Sequence, residues 1–232
     1  MSEPADAGKE SPRRAAVWDP FVRLSHWSFV VLIPAMWWTA ENSEWGWHRR
    51  LGLVLLGILG LRLLWGFVGP RTARFGEFLR APGTVIAYFR GKLGGEGQWV
   101  GHNPAGGYST LALLLVMLAQ VSMGLFSGDP FDGMTGPLRP LVGVMTADTI
   151  TELHETFFWV VVGFIALHIA AIIWYEAIER HRLVGAMVTG RRAVPAGAEG
   201  IGAFPWGRAI AALVLAGGFA WWIAQGAPPL TG

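Results

Sequence analysis

Long apolar runs dominate the chain, and its polar residues gather in the stretches between them. A helix needs about 20 predominantly apolar residues to cross a hydrocarbon core. Four runs reach or approach that length: Leu24–Ala40, Leu51–Gly69, Gly107–Ser127 and Glu155–Tyr175. A fifth, Ala209–Ala224, is shorter but ends in a Trp pair of the kind found at membrane interfaces. The pattern predicts an all-α membrane protein, a four-helix transmembrane bundle with a fifth C-terminal transmembrane helix, for which lying on the surface is the alternative. The chain divides into an N-terminal tail (1–23), the four-helix core (24–175), a connection (176–208) and the last helix with its C-terminus (209–232). Gly, Ala and Pro make the stretch 191–207 read as a flexible link.

Charge sets the orientation. The tail, the loop 70–106 and the connection hold 14 Lys and Arg residues, against three in the stretches 41–50 and 128–153. By the positive-inside rule the N-terminus is cytoplasmic, the first and third loops face outward, and five crossings leave the C-terminus outside. No apolar core of a cleavable signal precedes the first run, so that run serves as its own insertion signal. Hydrophobic residues make up 53% of the chain and charged residues only 15%, far from the composition of a soluble domain. A net charge of +2 without a basic, aromatic-laced stripe excludes a nucleic-acid partner, which leaves membrane lipid as the surroundings. With no cysteine, disulfides, iron–sulfur clusters and thioether-linked haem are excluded too.

Four of the six histidines fall in or beside the apolar runs, where an unpartnered polar group is costly. His26 opens the first run near the cytoplasm and His48 precedes the second near the outside. His154 begins the fourth on the outer side, and His168 lies deep in its inner half. Fourteen residues advance about 21 Å along a helix and leave two side chains about 40° apart, so His154 and His168 share a face at opposite depths. Such a helix can supply one axial ligand to each of two haems, completed by His26 opposite His168 and by His48 opposite His154. Zinc requires imidazoles converging within about 2.1 Å of one ion, which this spread forbids. Arg62 lies inside the second run, where it either snorkels or meets a haem propionate; Arg23 on the His26 face and Arg49 beside His48 are placed for the same contact. His102 and His181 fall in cytoplasmic loops, where a solvated imidazole is the default.

The segments WDPFVRLSHW, QWVGHNPAGG, LHETFFWVVVGFIALH and MVTGRR, with His48 before the second run, resemble the bacterial cytochrome b561 and Ni,Fe-hydrogenase-type cytochrome b family from about Val17 to Arg192. The resemblance implies two b-type haems with bis-histidine ligation by His26, His48, His154 and His168. It also implies electron transfer between a periplasmic partner, a cytochrome c or a hydrogenase-like protein, and quinone in the bacterial inner membrane. GHNP marks the hydrogenase-like branch and moves His102 to a quinone site by the inner haem.

The reading is therefore an electron-transfer subunit of the respiratory chain. A stand-alone quinone reductase fed by a small donor such as superoxide is the alternative, and a haem-free membrane anchor is the third class. Iron held by two histidines has no open position, which disfavours chemistry on a substrate at the metal. The outer stretches carry seven acids, Glu41, Glu44, Asp129, Asp132, Asp148, Glu152 and Glu155, which suit a basic cytochrome c.

Overall fold

The computed structural model describes residues 13–93, 99–129, 133–194 and 197–230. The first twelve residues of the tail, Gln98 of the loop motif and Asp132 lie outside the described residues. Strand β1 (Arg13–Ala16) leads to helix α1 (Pro20–Glu41), a tight turn and helix α2 (Trp45–Val68). The short helices α3 (Phe75–Phe78) and α4 (Pro82–Phe89) precede α5 (Pro104–Phe126), followed by a two-residue-stranded hairpin, β2 (Gly128–Asp129) and β3 (Met134–Thr135). Helix α6 (Val144–Ala177), the short α7 (Leu183–Thr189), strand β4 (Arg191–Val194) and helix α8 (Trp206–Ala224) complete the chain.

Helix starts follow from capping. Asp19 accepts from the Phe21 and Val22 amides at 2.9 and 3.2 Å and is followed by Pro20 at the first helical position. Asn103 and Pro104 repeat the device at α5, with the Asn103 side chain accepting from Gly106 N at 2.6 Å. Both caps start their helices about one turn before the apolar runs do. The larger departures are at α2, which begins at Trp45 rather than Leu51, and at α6, which begins at Val144 rather than Glu155. A helix can continue through polar residues once it leaves lipid, so hydropathy marked the membrane segment and not the helix end. His48 thus lies in the first turn of α2, and His154 lies ten residues into α6 instead of at its start.

Helices α2, α5, α6 and α8 are long and apolar enough to cross a membrane. Helix α1, rich in Trp and carrying Arg23, His26 and Glu41, is not among them by composition, although its 22 residues extend about 33 Å. The helix whose crossing was in question, α8, meets the criterion that α1 misses. The helices pack as α1 on α2 and α5 on α6, and α2 also touches α5, which joins the two sets. Helix α8 lies along the flank of α2, where Gly57 faces Ala220 and Gly60 faces Ala216, so the two run antiparallel at close range. A first core cluster, around Val17, Trp18, Leu61 and Trp65, fills the Asp19 end; a second, around Leu55, Leu59, Leu114 and Val121, fills the other half.

The expected flexible link is partly built into the fold. Strand β4 pairs antiparallel with β1 in the register Arg13 to Val194 and Ala16 to Arg191, and Ile201 N donates to Ala16 O at 3.0 Å. These bonds use backbone atoms alone, which explains why side-chain composition did not reveal them.

Candidate functional site

At the end opposite Asp19, α2 and α6 bring His48 and His154 together. Their ring centroids are 6.3 Å apart and the ring planes are nearly perpendicular, at 89°. His154 Nδ1 donates to Gln120 O at 2.9 Å, and His48 Nδ1 lies 3.0 Å from Met36 O and 3.2 Å from Thr39 Oγ1. A histidine that gives its Nδ1 proton to a carbonyl keeps Nε2 as the ligand nitrogen, the orienting arrangement common at metal sites. Two metal–imidazole bonds of about 2 Å and two ring radii of about 1 Å span about 6 Å, so the separation fits one iron between the rings. A cavity of about 360 Å³ adjoins the pair, bounded by Met36, Gly52, Met117 and Gly124. Gly124 is required by close approach: a Cβ there would lie 3.0 Å from His154 Cε1.

Toward the Asp19 end lie His26 on α1 and His168 on α6, the latter fourteen residues beyond His154. His26 Nδ1 is buried without a hydrogen-bond partner. The two α6 histidines are separated by the predicted fourteen residues in one unbroken helix, which holds the pairs about 21 Å apart along its axis. Among the described residues no three His, Cys, Asp or Glu side chains gather around a single point. Each pair instead offers two donors, the number that a porphyrin-bound iron accepts. The residues present fit haem at both places.

The arginines divide. Arg62 is 4% exposed, with Nη1 unpartnered and its guanidinium carbon 5.7 Å from the Phe75 ring, so it turns into the protein and does not snorkel. Arg23 is engaged elsewhere: its Nε donates to Met187 O at 3.3 Å and Nη2 to Val188 O, tying α1 to the end of α7. Arg49 is exposed at the border of the cavity beside His48 and His154.

His102 is not a solvated loop residue. It immediately precedes the α5 cap, with its ring 4.7 Å from Trp18 and 4.5 Å from Phe78, and Nε2 lies 3.0 Å from Thr110 Oγ1. Burial first, then the neighbouring Arg62, His168 and Arg192 side chains, push its pKa down to about 3, which keeps the imidazole neutral. It lies in the wall of a second cavity, of about 510 Å³, with Phe78, Arg80 and Trp99. His181 lies in the segment between α6 and α7.

Sequence reasoning missed Asp19, fully buried, whose Oδ1 caps α1 and also accepts from Trp65 Nε1 at 2.9 Å. Burial raises its pKa against those bonds and the charge of Arg62. An acid before Pro at a helix start is a legible cap; its bond to Trp65, 46 residues on, is not. Also missed were Gln120, which bonds His154, and the Tyr88–Tyr175 hydroxyl pair at 2.9 Å, to which Asn103 Nδ2 donates.

A multi-pass helical bundle with two imidazoles facing each other, His48 and His154, and two more histidines at a second depth has the architecture of a membrane cytochrome b. The model of the prokaryotic cytochrome b561 family matches residues 17–190, and the chain belongs to that family. It is also 24% identical over 228 residues to the probable Ni/Fe-hydrogenase B-type cytochrome subunit of Cupriavidus necator, covering 82% of this chain and 91% of that one. No solved structure matches it at a significant level. The family makes this a haem-carrying membrane protein of electron transport.

Proposed function

We propose that the protein binds two b-type haems, one between His48 and His154 and one between His26 and His168, and carries electrons across the bacterial inner membrane. The observation that carries the reading is the His48–His154 pair, whose spacing and paired Nδ1 contacts match a bis-imidazole iron site. Bound haem supplies the one-electron couple; the chain supplies ligands, burial and neighbouring charge. Arg62, buried with a free N–H, is assigned to an inner propionate, and Arg49 to an outer one. Arg23 keeps a place beside the inner pair, but its hydrogen bonds to Met187 O and Val188 O assign it first to holding α7.

The N-terminus is assigned to the cytoplasm, so the His48–His154 end faces the periplasm. There the partner is a cytochrome c or a hydrogenase-like protein, a reading supported by the name of the Cupriavidus relative and by the acidic outer stretches. At the cytoplasmic end the acceptor is quinone, with its head group against the His102 cavity. Proteoliposomes test the crossing. With an impermeant reductant outside and ferricyanide sealed inside, the holoprotein reduces the ferricyanide, while His48→Ala and His168→Ala each abolish it. Full transfer in either variant would refute the two-haem path.

A further inference from the structure

His48 and His154 are held by different helix pairs through matching bonds. His48, on α2, directs Nδ1 to Met36 O on α1 at 3.0 Å and to Thr39 Oγ1 at 3.2 Å. Thr39 is 3% exposed and is itself fixed, since its hydroxyl donates to Met36 O at 2.9 Å and its carbonyl accepts from Glu44 N at 2.8 Å. His154, on α6, directs Nδ1 to Gln120 O on α5 at 2.9 Å. The Gln120 side chain crosses the same gap: its Nε2 donates to His154 O at 3.0 Å and lies 3.4 Å from His154 Nε2.

Gln120 Oε1 is buried with no hydrogen-bond partner, a cost that an apolar side chain of similar length would avoid. What the amide contributes is its N–H group, and both contacts of that group are with His154. A ring bonded at Nδ1 to a fixed carbonyl cannot turn about its Cβ–Cγ bond without losing the hydrogen bond. The two rings are thus locked independently, one from α1 and the other from α5, and their planes stand at 89°. His26, whose Nδ1 is buried without a partner, has no such anchor. The angle matters to an iron between two imidazoles, because each ring donates from a filled π orbital perpendicular to its plane. Parallel rings raise one iron d orbital and split it from its neighbour. Crossed rings raise one orbital each and leave the two close in energy, which gives ferric iron a highly anisotropic low-spin EPR signal.

We infer that Thr39 and Gln120 are positioning residues of the outer haem, which hold the His48 and His154 rings crossed and so set the electronic state and potential of the iron between them. The inference rests on the two-haem reading above. A hydrogen bond from Nδ1 makes an imidazole the more basic ligand, which favours ferric iron, so loosening that bond moves the potential to more positive values.

The test is EPR of the oxidised full-length holoprotein together with a redox titration, the outer haem being identified as the component missing from His154→Ala. The wild-type outer haem gives the highly anisotropic signal. Thr39→Val and Gln120→Leu keep both haems and the inner signal, while the outer signal shifts toward the less anisotropic form. In Thr39→Val the outer midpoint potential also rises, and Thr39→Ser restores both signal and potential. Gln120→Glu keeps the shape and removes the donor, so it alters the outer signal as Gln120→Leu does and serves where that variant does not fold. An outer haem with the signal of parallel imidazoles in the wild type would overturn the inference alone, as would an unchanged outer signal and potential in the Thr39 and Gln120 variants. A wild-type chain with no haem at the outer pair would overturn the two-haem reading, and the inference with it.

Discussion

At the scale of single residues the site depends on what sits beside each histidine. Gly124 leaves the space in which the His154 ring lies, and a side chain there meets Cε1 at 3.0 Å. Gly124→Val is expected to displace that ring and lower outer-haem content, leaving the inner haem spectrum intact; a full complement of both haems would contradict this. His102 gives a pH prediction. Its pKa is depressed from 6.5 to about 3, so an unfolded chain takes up a proton that the folded chain refuses. The associated stability is fully present above about pH 6.5 and is lost as pH falls toward about 3. Asp19, its pKa raised by burial, acts in the opposite sense and is eased by acid. Thermal unfolding of His102→Gln followed across this range should show a shallower acid limb than the wild type. Quinone turnover in His102→Ala should fall with both haems still bound. The four histidines proposed as ligands stood out in the sequence because imidazoles in an apolar run are unusual. Gln120 and Gly124 were not, because an ordinary Gln and Gly on a lipid-spanning helix acquire meaning only once α6 is packed against them.

Among the elements, the apolar runs revealed each long helix but not its ends. The first turn of α2 and the turns of α6 before Glu155 mix polar with apolar residues, and they are bonded to the α1–α2 turn and to the β2–β3 hairpin respectively. The small elements at the Asp19 end were invisible for a related reason: β1, β4 and α7 join through backbone bonds and through Arg23. Removing Asp19's cap and its bond to Trp65 by Asp19→Ala should cost about 2 kcal/mol. Arg23→Ala should cost about 1 kcal/mol without loss of haem. Chemical or thermal unfolding of the holoprotein measures both, and loss of the inner haem in Arg23→Ala would return that guanidinium to a propionate.

At the scale of the whole molecule, α6 carries His154 and His168 at opposite depths, and the distribution of Lys and Arg predicts the orientation proposed above. The absence of native cysteine makes the orientation directly measurable. In right-side-out vesicles, Ser43→Cys in the α1–α2 turn should react with an impermeant maleimide, and Thr84→Cys in α4 should react only after permeabilisation. The central claim is that the pairs hold two haems, and haem stoichiometry tests it most directly. Pyridine-haemochrome analysis of the purified chain should give two extractable haems b per polypeptide. His26→Ala and His168→Ala should each retain one haem with a common spectrum, and His48→Ala and His154→Ala one haem with the other spectrum. A single haem in the wild type, or a shared component lost from His26→Ala and His154→Ala, would contradict the account.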